Sequence, residues 1–156
     1  MPKQSAGILV YKKISDQVLV LLAHPGGPFW RHKDLGSWSI PKGEFTDEEE
    51  PLDAARREFA EETGIQLEGR FIELQPVRQR SGKTVHAWAH ERDLDADALV
   101  SNTFEMEWPP KSGRMQSFPE MDAFAWFLLD EAQKKINAAQ ADLLMQLEEQ
   151  LRHEQM

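Results

Sequence analysis

Apolar residues recur along this chain in two rhythms. Residues 5–13 (SAGILVYKK) and 17–24 (QVLVLLAH) are short runs rich in β-branched and large apolar side chains, separated by a short polar turn. They predict a β-hairpin. Residues 71–79 (FIELQPVRQ) and 84–92 (TVHAWAHER) repeat the pattern around Arg80-Ser81-Gly82-Lys83, and 123–129 (AFAWFLL) is a further apolar strand. A short strand is expected at 38–40 (WSI). Elsewhere the rhythm is helical. Leu52, Ala55 and Phe59 share one face at 3.6 residues per turn. That helix is expected to start near Thr46 or Asp47, with Pro51 in its first turn, and to end at Gly64. Ile136, Leu143, Leu144, Leu147 and Leu151 mark a C-terminal helix at about 138–152, and Asp130 offers a cap for a helix after the last strand. Residues 24–37 read as a loop. Residues 93–121 read as a long excursion poor in periodicity, and a long excursion in a compact domain is often functional. This mixed order of strands and helices predicts an α+β fold or an α/β/α sandwich, in one domain spanning 1–156.

Composition narrows the picture. A chain of 156 residues suits a single hydrophobic core. It has no cysteine, which excludes a disulfide and a thiolate metal site and is compatible with the cytoplasm. No apolar run approaches the roughly 18 residues of a membrane span, and the first residues lack the apolar core of a signal peptide.

The net charge of −9 is concentrated. Residues 43–65 (GEFTDEEEPLDAARREFAEETGI) hold nine acids against Arg56 and Arg57, so the remainder is nearly neutral. Such a distribution describes a local acidic site and argues against a broad basic face for duplex nucleic acid. Within the run, Glu58, Glu61 and Glu62 fall on one helix face as a patch of mutually repelling carboxylates. They also lie toward the helix C-terminus, the wrong end of the macrodipole for acids. A hard divalent cation offsets both costs and prefers oxygen ligands. Arg57 lies four residues before Glu61, within reach of an ion pair.

A second constellation precedes the patch. Residues 24–42 gather His24, Arg31, His32, Lys33 and Lys42 with Asp34 as the only acid, and interleave Phe29, Trp30 and Trp38. Cations with aromatics suit phosphates and a stacked base. Trp38 is the member expected in the core. Arg78, Arg80 and Lys83 form a further cationic group at the hairpin turn.

The placement of Gly43, Glu49, Arg57, Glu58, Phe59, Glu61, Glu62, Gly64 and Ile65 resembles the signature of the Nudix hydrolases, with no position missing. The resemblance implies a mixed sheet between helices, with the signature forming a loop–helix–loop. It also implies hydrolysis of a nucleoside diphosphate linked to a further group, with Mg²⁺ or Mn²⁺ as cofactor. By the family pattern Glu58, Glu61 and Glu62 hold the metal, joined by the backbone carbonyl of Lys42 and by an acid outside the signature. Glu105 and Glu107 lead for that outer position, ahead of Glu91 and Glu120. Glu58, Glu61, Glu62 and Arg57 are the expected catalytic group, with Arg57 and Glu49 orienting the glutamates. Trp30, Arg31, Lys33, Lys42 and Arg78 are the expected substrate contacts.

The segment WSIPKGE that leads into the signature resembles the corresponding segment of diadenosine polyphosphate and nucleoside triphosphate pyrophosphohydrolases. The alternatives are an ADP-ribose or nucleotide-sugar pyrophosphatase, an RNA 5′ pyrophosphohydrolase, or a nucleotide-sensing domain without turnover. The expected partner is a small nucleotide, with no membrane and no duplex nucleic acid. The family allows a homodimer without requiring one.

Overall fold

A computed structural model describes residues 3–154. In chain order it contains β1 (Gln4–Ile14), β2 (Gln17–Pro25), β3 (Lys42–Phe45), α1 (Pro51–Thr63), β4 (Ile72–Glu73), β5 (Val77–Arg78) and β6 (Thr84–Glu91). There follow β7 (Thr103–Glu107), β8 (Met115–Pro119), β9 (Met121–Leu128), α2 (Leu129–Lys135) and α3 (Ala141–Glu154).

The main sheet runs β4-β6-β1-β2-β9, with β3 added to β1 and β5 to β6. It is mixed, because β1 pairs in parallel with β6 over Gln4–Tyr11 while its other neighbours are antiparallel. The opposite edge of β1 is shared: residues 4–7 pair with β3 and residues 11–14 with β2. Residues 5–11 of β1 are all buried, as expected of a strand covered on both faces. Alternate side chains enter two cores. Leu9 and Tyr11 join Val20, Leu22, Ala87 and Ala89 beneath Leu143, Leu144, Leu147 and Leu151 of α3. Ala6, Ile8 and Val10 join Leu21 and Trp88 beneath Ala54, Ala55 and Phe59 of α1. The expected α/β/α sandwich is the observed one, and α1 lies against the face of β1.

Several local expectations are corrected. Helix α1 begins at Pro51 with Glu50 at the cap, four or five residues later than expected. The proline ring is compatible with a helix only in the first turn, so it sets the start. Thr46 organises a turn instead, its carbonyl accepting from Glu49 N–H at 3.2 Å. Leu52 is only partly buried, while Ala54 joins the stripe. Residues 38–40 form isolated bridges, Ala23 with Ser39 and Trp38 with Ile136, in place of a strand. Residues 71–79 split into β4 and β5 around Pro76, where Gln75 N–H donates to Gln146 Oε1 at 2.6 Å.

The excursion at 93–121 contains a 3₁₀ turn at Ala96–Ala98 and the antiparallel hairpin β7–β8. Helix α2 is capped by Leu128 without a side-chain bond, and Asp130 lies in its first turn. Ile136 is buried at the end of α2 rather than on the C-terminal helix, which starts at Ala141 after a 3₁₀ turn capped by Asn137.

Candidate active site

The acidic patch is built by α1 against β3. Gly43 lets the Glu58 side chain pack directly on β3: a Cβ at that position would overlap the Glu58 carboxylate. At the C-terminal end of the helix Gly64 adopts the left-handed conformation (φ 81°) and donates its N–H to the Ala60 carbonyl. Glu58, Glu61 and Glu62 thus lie on the last two turns, between the contact with Gly43 and the Gly64 cap.

Arg57 organises the carboxylates. Its Nε and Nη2 each donate to Glu49, at 2.8 Å, in a bidentate fork. Its Nη1 donates to Glu58 Oε1 at 2.9 Å and to Glu61 Oε1 at 3.1 Å. These bonds hold the Glu49 carboxyl below the usual carboxylate range and keep the guanidinium charged. Arg57 thereby joins Glu49, Glu58 and Glu61 in one hydrogen-bonded network. Arg57→Lys keeps the charge but cannot make the fork. We expect it to lower turnover and divalent-cation affinity about 10–100-fold with an unchanged circular dichroism spectrum. Steady-state kinetics and a Mn²⁺ titration check this.

Glu62 differs from its neighbours. It is buried, and its Oε2 has no hydrogen-bond partner. Its carboxyl is pushed up to about 8, chiefly by burial and then by the Glu58 charge, against a partial offset from the charge and backbone N–H of Lys42. Glu58 is also raised, first by burial, with Arg57 opposing. Lys42 opens β3 opposite Gly7. Its ammonium is discouraged by burial and by Lys83, and encouraged by Glu62, Glu44 and Glu58.

The acids outside α1 are placed differently from the leading expectation. Glu105 and Glu107 occupy exposed positions of β7, and Glu107 Oε1 accepts the Lys111 N–H at 2.7 Å. Glu91 is exposed at the end of β6. Glu120 is the outer acid whose charge reaches Glu62. It is brought there by backbone bonds: Asn102 N–H donates to the Glu61 carbonyl at 3.1 Å, and Glu120 N–H to the Asn102 carbonyl at 2.8 Å. Nothing local in the sequence marks Glu120, because the juxtaposition depends on this long-range pairing.

The fit of a cation rests on these observations. Among the described residues no three Asp, Glu or His side chains already converge as a metal site. The Oε1 atoms of Glu58 and Glu61 face Arg57, whereas Glu58 Oε2 and Glu61 Oε2 are not in that network. Glu62 Oε2 is buried without a partner among carboxylates that repel it. An uncompensated acidic oxygen of this kind suits a hard divalent ion.

The cationic–aromatic segment is divided by the fold. Trp38 is buried and its Nε1 donates to Asp34 Oδ1 at 2.8 Å, while Lys135 of α2 pairs with the same carboxylate. His24 is buried, with Nδ1 at 2.7 Å from Asp122 Oδ1 and Nε2 at 2.5 Å from the Lys33 carbonyl. These contacts tie the loop down and leave Trp30, Arg31 and Lys33 exposed, with Lys33 Nζ 5.0 Å from the Trp30 ring centroid. Arg78 is exposed on β5, and Lys83 pairs with Glu44 at 3.0 Å.

A mixed sheet between helices, bearing an arginine-organised glutamate patch in a loop–helix–loop, defines a Nudix-type domain. The NUDIX domain family model matches residues 1–147, and the chain belongs to that family. It is 34% identical to a bis(5′-nucleosyl)-tetraphosphatase [asymmetrical] of Rattus norvegicus, over 61% of this chain and 58% of that protein. The chain thus spans little more than half the length of that relative. It is 30% identical to an RNA pyrophosphohydrolase of Caulobacter vibrioides, over 75% of this chain and 73% of that protein. Its fold matches an Ap4A hydrolase of C. elegans, with a TM-score of 0.67, 22% identity, and coverage of 96% of this chain and 98% of that one.

Proposed function

We propose that this protein is a divalent-cation-dependent pyrophosphohydrolase that cleaves a P–O–P bridge in a nucleoside or dinucleoside polyphosphate. The observation that carries the reading is the pairing of a retained glutamate patch with a buried, unpartnered Glu62 oxygen. Glu58, Glu61 and Glu62 would hold Mg²⁺ or Mn²⁺, with Glu120 replacing Glu105 as the outer acid and the Lys42 carbonyl alongside. When bound, the cation neutralises charge on the phosphate oxygens and increases the acidity of a bound water.

The chain's own groups supply the rest. Arg57 fixes the glutamate rotamers before substrate arrives, so less reorganisation is needed at the moment of reaction. A carboxylate of the patch accepts the proton of the attacking water. The water oxygen bonds to phosphorus as the bridging P–O bond breaks, and the bridging oxygen leaves on the second phosphate. Arg31, Lys33, Lys42 and Arg78 are the cations we assign to the phosphate chain. Trp30 we assign to the base. The names of the rat and C. elegans relatives favour a dinucleoside polyphosphate, and that of the Caulobacter relative supports a 5′-phosphorylated RNA end as a second reading. Among the described residues no helix is long and apolar enough to cross a membrane. The cytoplasmic location is our reading of the cysteine-free sequence.

The test is phosphate and nucleotide release with Mg²⁺ across diadenosine tetraphosphate, nucleoside triphosphates, ADP-ribose, nucleotide sugars and 5′-triphosphate RNA. Turnover concentrated on the polyphosphates is expected. Turnover confined to ADP-ribose or sugar nucleotides overturns the substrate assignment. Tight nucleotide binding with no turnover on any substrate makes the domain a sensor.

A further inference from the structure

The hairpin β7–β8 and the loop after β2 are far apart in sequence yet are locked side by side. Gly26 N–H donates to the Glu120 carbonyl at 2.9 Å, and a Cβ on Gly26 would overlap the Pro119 carbonyl. One residue on, the space a Cβ would fill at Gly27 is 3.0 Å from Phe104 of β7. Two further residues on, Phe29 meets Trp108 at the hairpin tip, ring centroids 5.4 Å apart at 82°. The tip itself is closely ordered. Trp108 N–H donates to the Arg114 carbonyl, Ser112 N–H to the Pro109 carbonyl, and Gln116 Nε2 to the Trp108 carbonyl, at 2.9, 3.1 and 2.9 Å.

This arrangement holds apolar rings at the surface. Phe29 is 60% exposed and Trp30 is 40% exposed. Their burial would be favourable, and no part of the described chain covers them fully. The surroundings indicate the occupant. Among the described residues neither Arg31 nor Lys33 has a carboxylate partner, and Lys111 and Arg114 stand exposed at the tip beside Glu107. Aromatic faces with unpaired cations suit a base attached to phosphates rather than an apolar peptide.

Position agrees with this. Three residues span at most about 11 Å, so the Phe29 Cα is no farther than that from the Cα of Gly26. Gly26 is bonded to Glu120, which acts on Glu62. A nucleotide can therefore have its base on this ring pair while its phosphates extend toward the glutamate patch.

We propose that Trp108 and Phe29, with Trp30 beside them, form a nucleobase-stacking site that selects nucleotide substrates over base-free polyphosphates. The proposal rests on the reading of the glutamate patch as a pyrophosphohydrolase centre, and adds the hairpin as its base-recognition element. The residue that carries it is Trp108, which no part of the Nudix signature contains.

The experiment pairs two measurements on Trp108→Leu, Phe29→Leu and Trp108→Tyr in the full chain. Steady-state kinetics compare diadenosine tetraphosphate with inorganic tripolyphosphate, and calorimetry gives the Kd of AMP with metal chelated. Loss of a stacked ring is expected to raise KM for the dinucleotide and Kd for AMP about 10–100-fold. The kcat and the tripolyphosphate parameters stay unchanged, and Trp108→Tyr recovers most of the binding. Unchanged KM and Kd in both leucine variants overturn the stacking site while leaving the enzyme reading intact, as does equal weakening toward tripolyphosphate. If the wild-type protein hydrolyses no anhydride, the enzyme reading fails and the AMP titration alone decides. Weaker binding in the leucine variants then supports the site, and equal binding, or none to the wild type, overturns it.

Discussion

Glu62→Gln is expected to abolish turnover, by on the order of 10²–10⁴-fold, while making the metal-free protein more stable in alkaline solution. The two effects share one cause. The Glu62 carboxyl is pushed up to about 8 because the fold buries it beside Glu58. A carboxyl raised above its unfolded value contributes stability that is complete below the unfolded value, near 4.5. That stability is lost as pH rises through about 8. The wild-type protein in a chelator should therefore become less stable from pH 5 to pH 9, by an amount bounded at about 5 kcal/mol.

Glutamine keeps the shape and removes the charge, so the variant's stability should depend less on pH and exceed that of the wild type at pH 9. Mg²⁺ favours the ionised carboxylate and should restore the wild type without helping the variant. Thermal melts at pH 6 and pH 9, with chelator and with Mg²⁺, check this. A wild type indifferent to pH and to Mg²⁺ would remove Glu62 from the metal site.

Gly43→Ala should separate activity from folding. The added Cβ overlaps the end of the Glu58 side chain, not a neighbouring backbone atom. A flexible carboxylate can move aside, so the expected stability cost is modest, about 1–2 kcal/mol. The displaced Glu58, however, leaves its bond to Arg57 and its place against β3. Turnover should fall at least about 100-fold, comparable with loss of a supporting residue. Kinetics combined with urea denaturation test this. Near-normal turnover would show that close packing of Glu58 on Gly43 is not required. Loss of the folded state would show that the backbone cannot adjust.

The elements that the sequence displays most clearly are those with a local cause. The α1 glutamates and Arg57 are legible because helix periodicity brings them to adjacent turns, whereas the flanking Gly43 and Gly64 are legible through the resemblance to the family signature. The alternation along β1, and the leucine stripe of α3, similarly report burial directly. Reading fails where long-range pairing decides. The start of α1 looks like Thr46 or Asp47 by capping preference, but Pro51 sets the helix boundary. Residues 93–121 read as an excursion because β7 and β8 are only five residues each and no position of the hairpin is fully buried, so the short alternation of Phe104 and Met106 with Glu105 and Glu107 carries little signal. Glu105 and Glu107 lead in that segment on sequence position, whereas the pairing of Asn102 with Glu61 and with Glu120, which joins Glu120 to the end of α1, has no local signal. The contact of Phe29 with Trp108 is likewise invisible before the loop and the hairpin are seen side by side.

Hydrolysis of diadenosine tetraphosphate as a function of free Mg²⁺, for the wild type and for folded Glu62→Gln, tests the central claim most directly. Turnover should rise with Mg²⁺ to saturation in the wild type, disappear in excess chelator, and be nearly absent in the variant at every Mg²⁺ concentration. Wild-type turnover that persists in chelator, or a variant that matches the wild type, would contradict a metal-dependent glutamate centre.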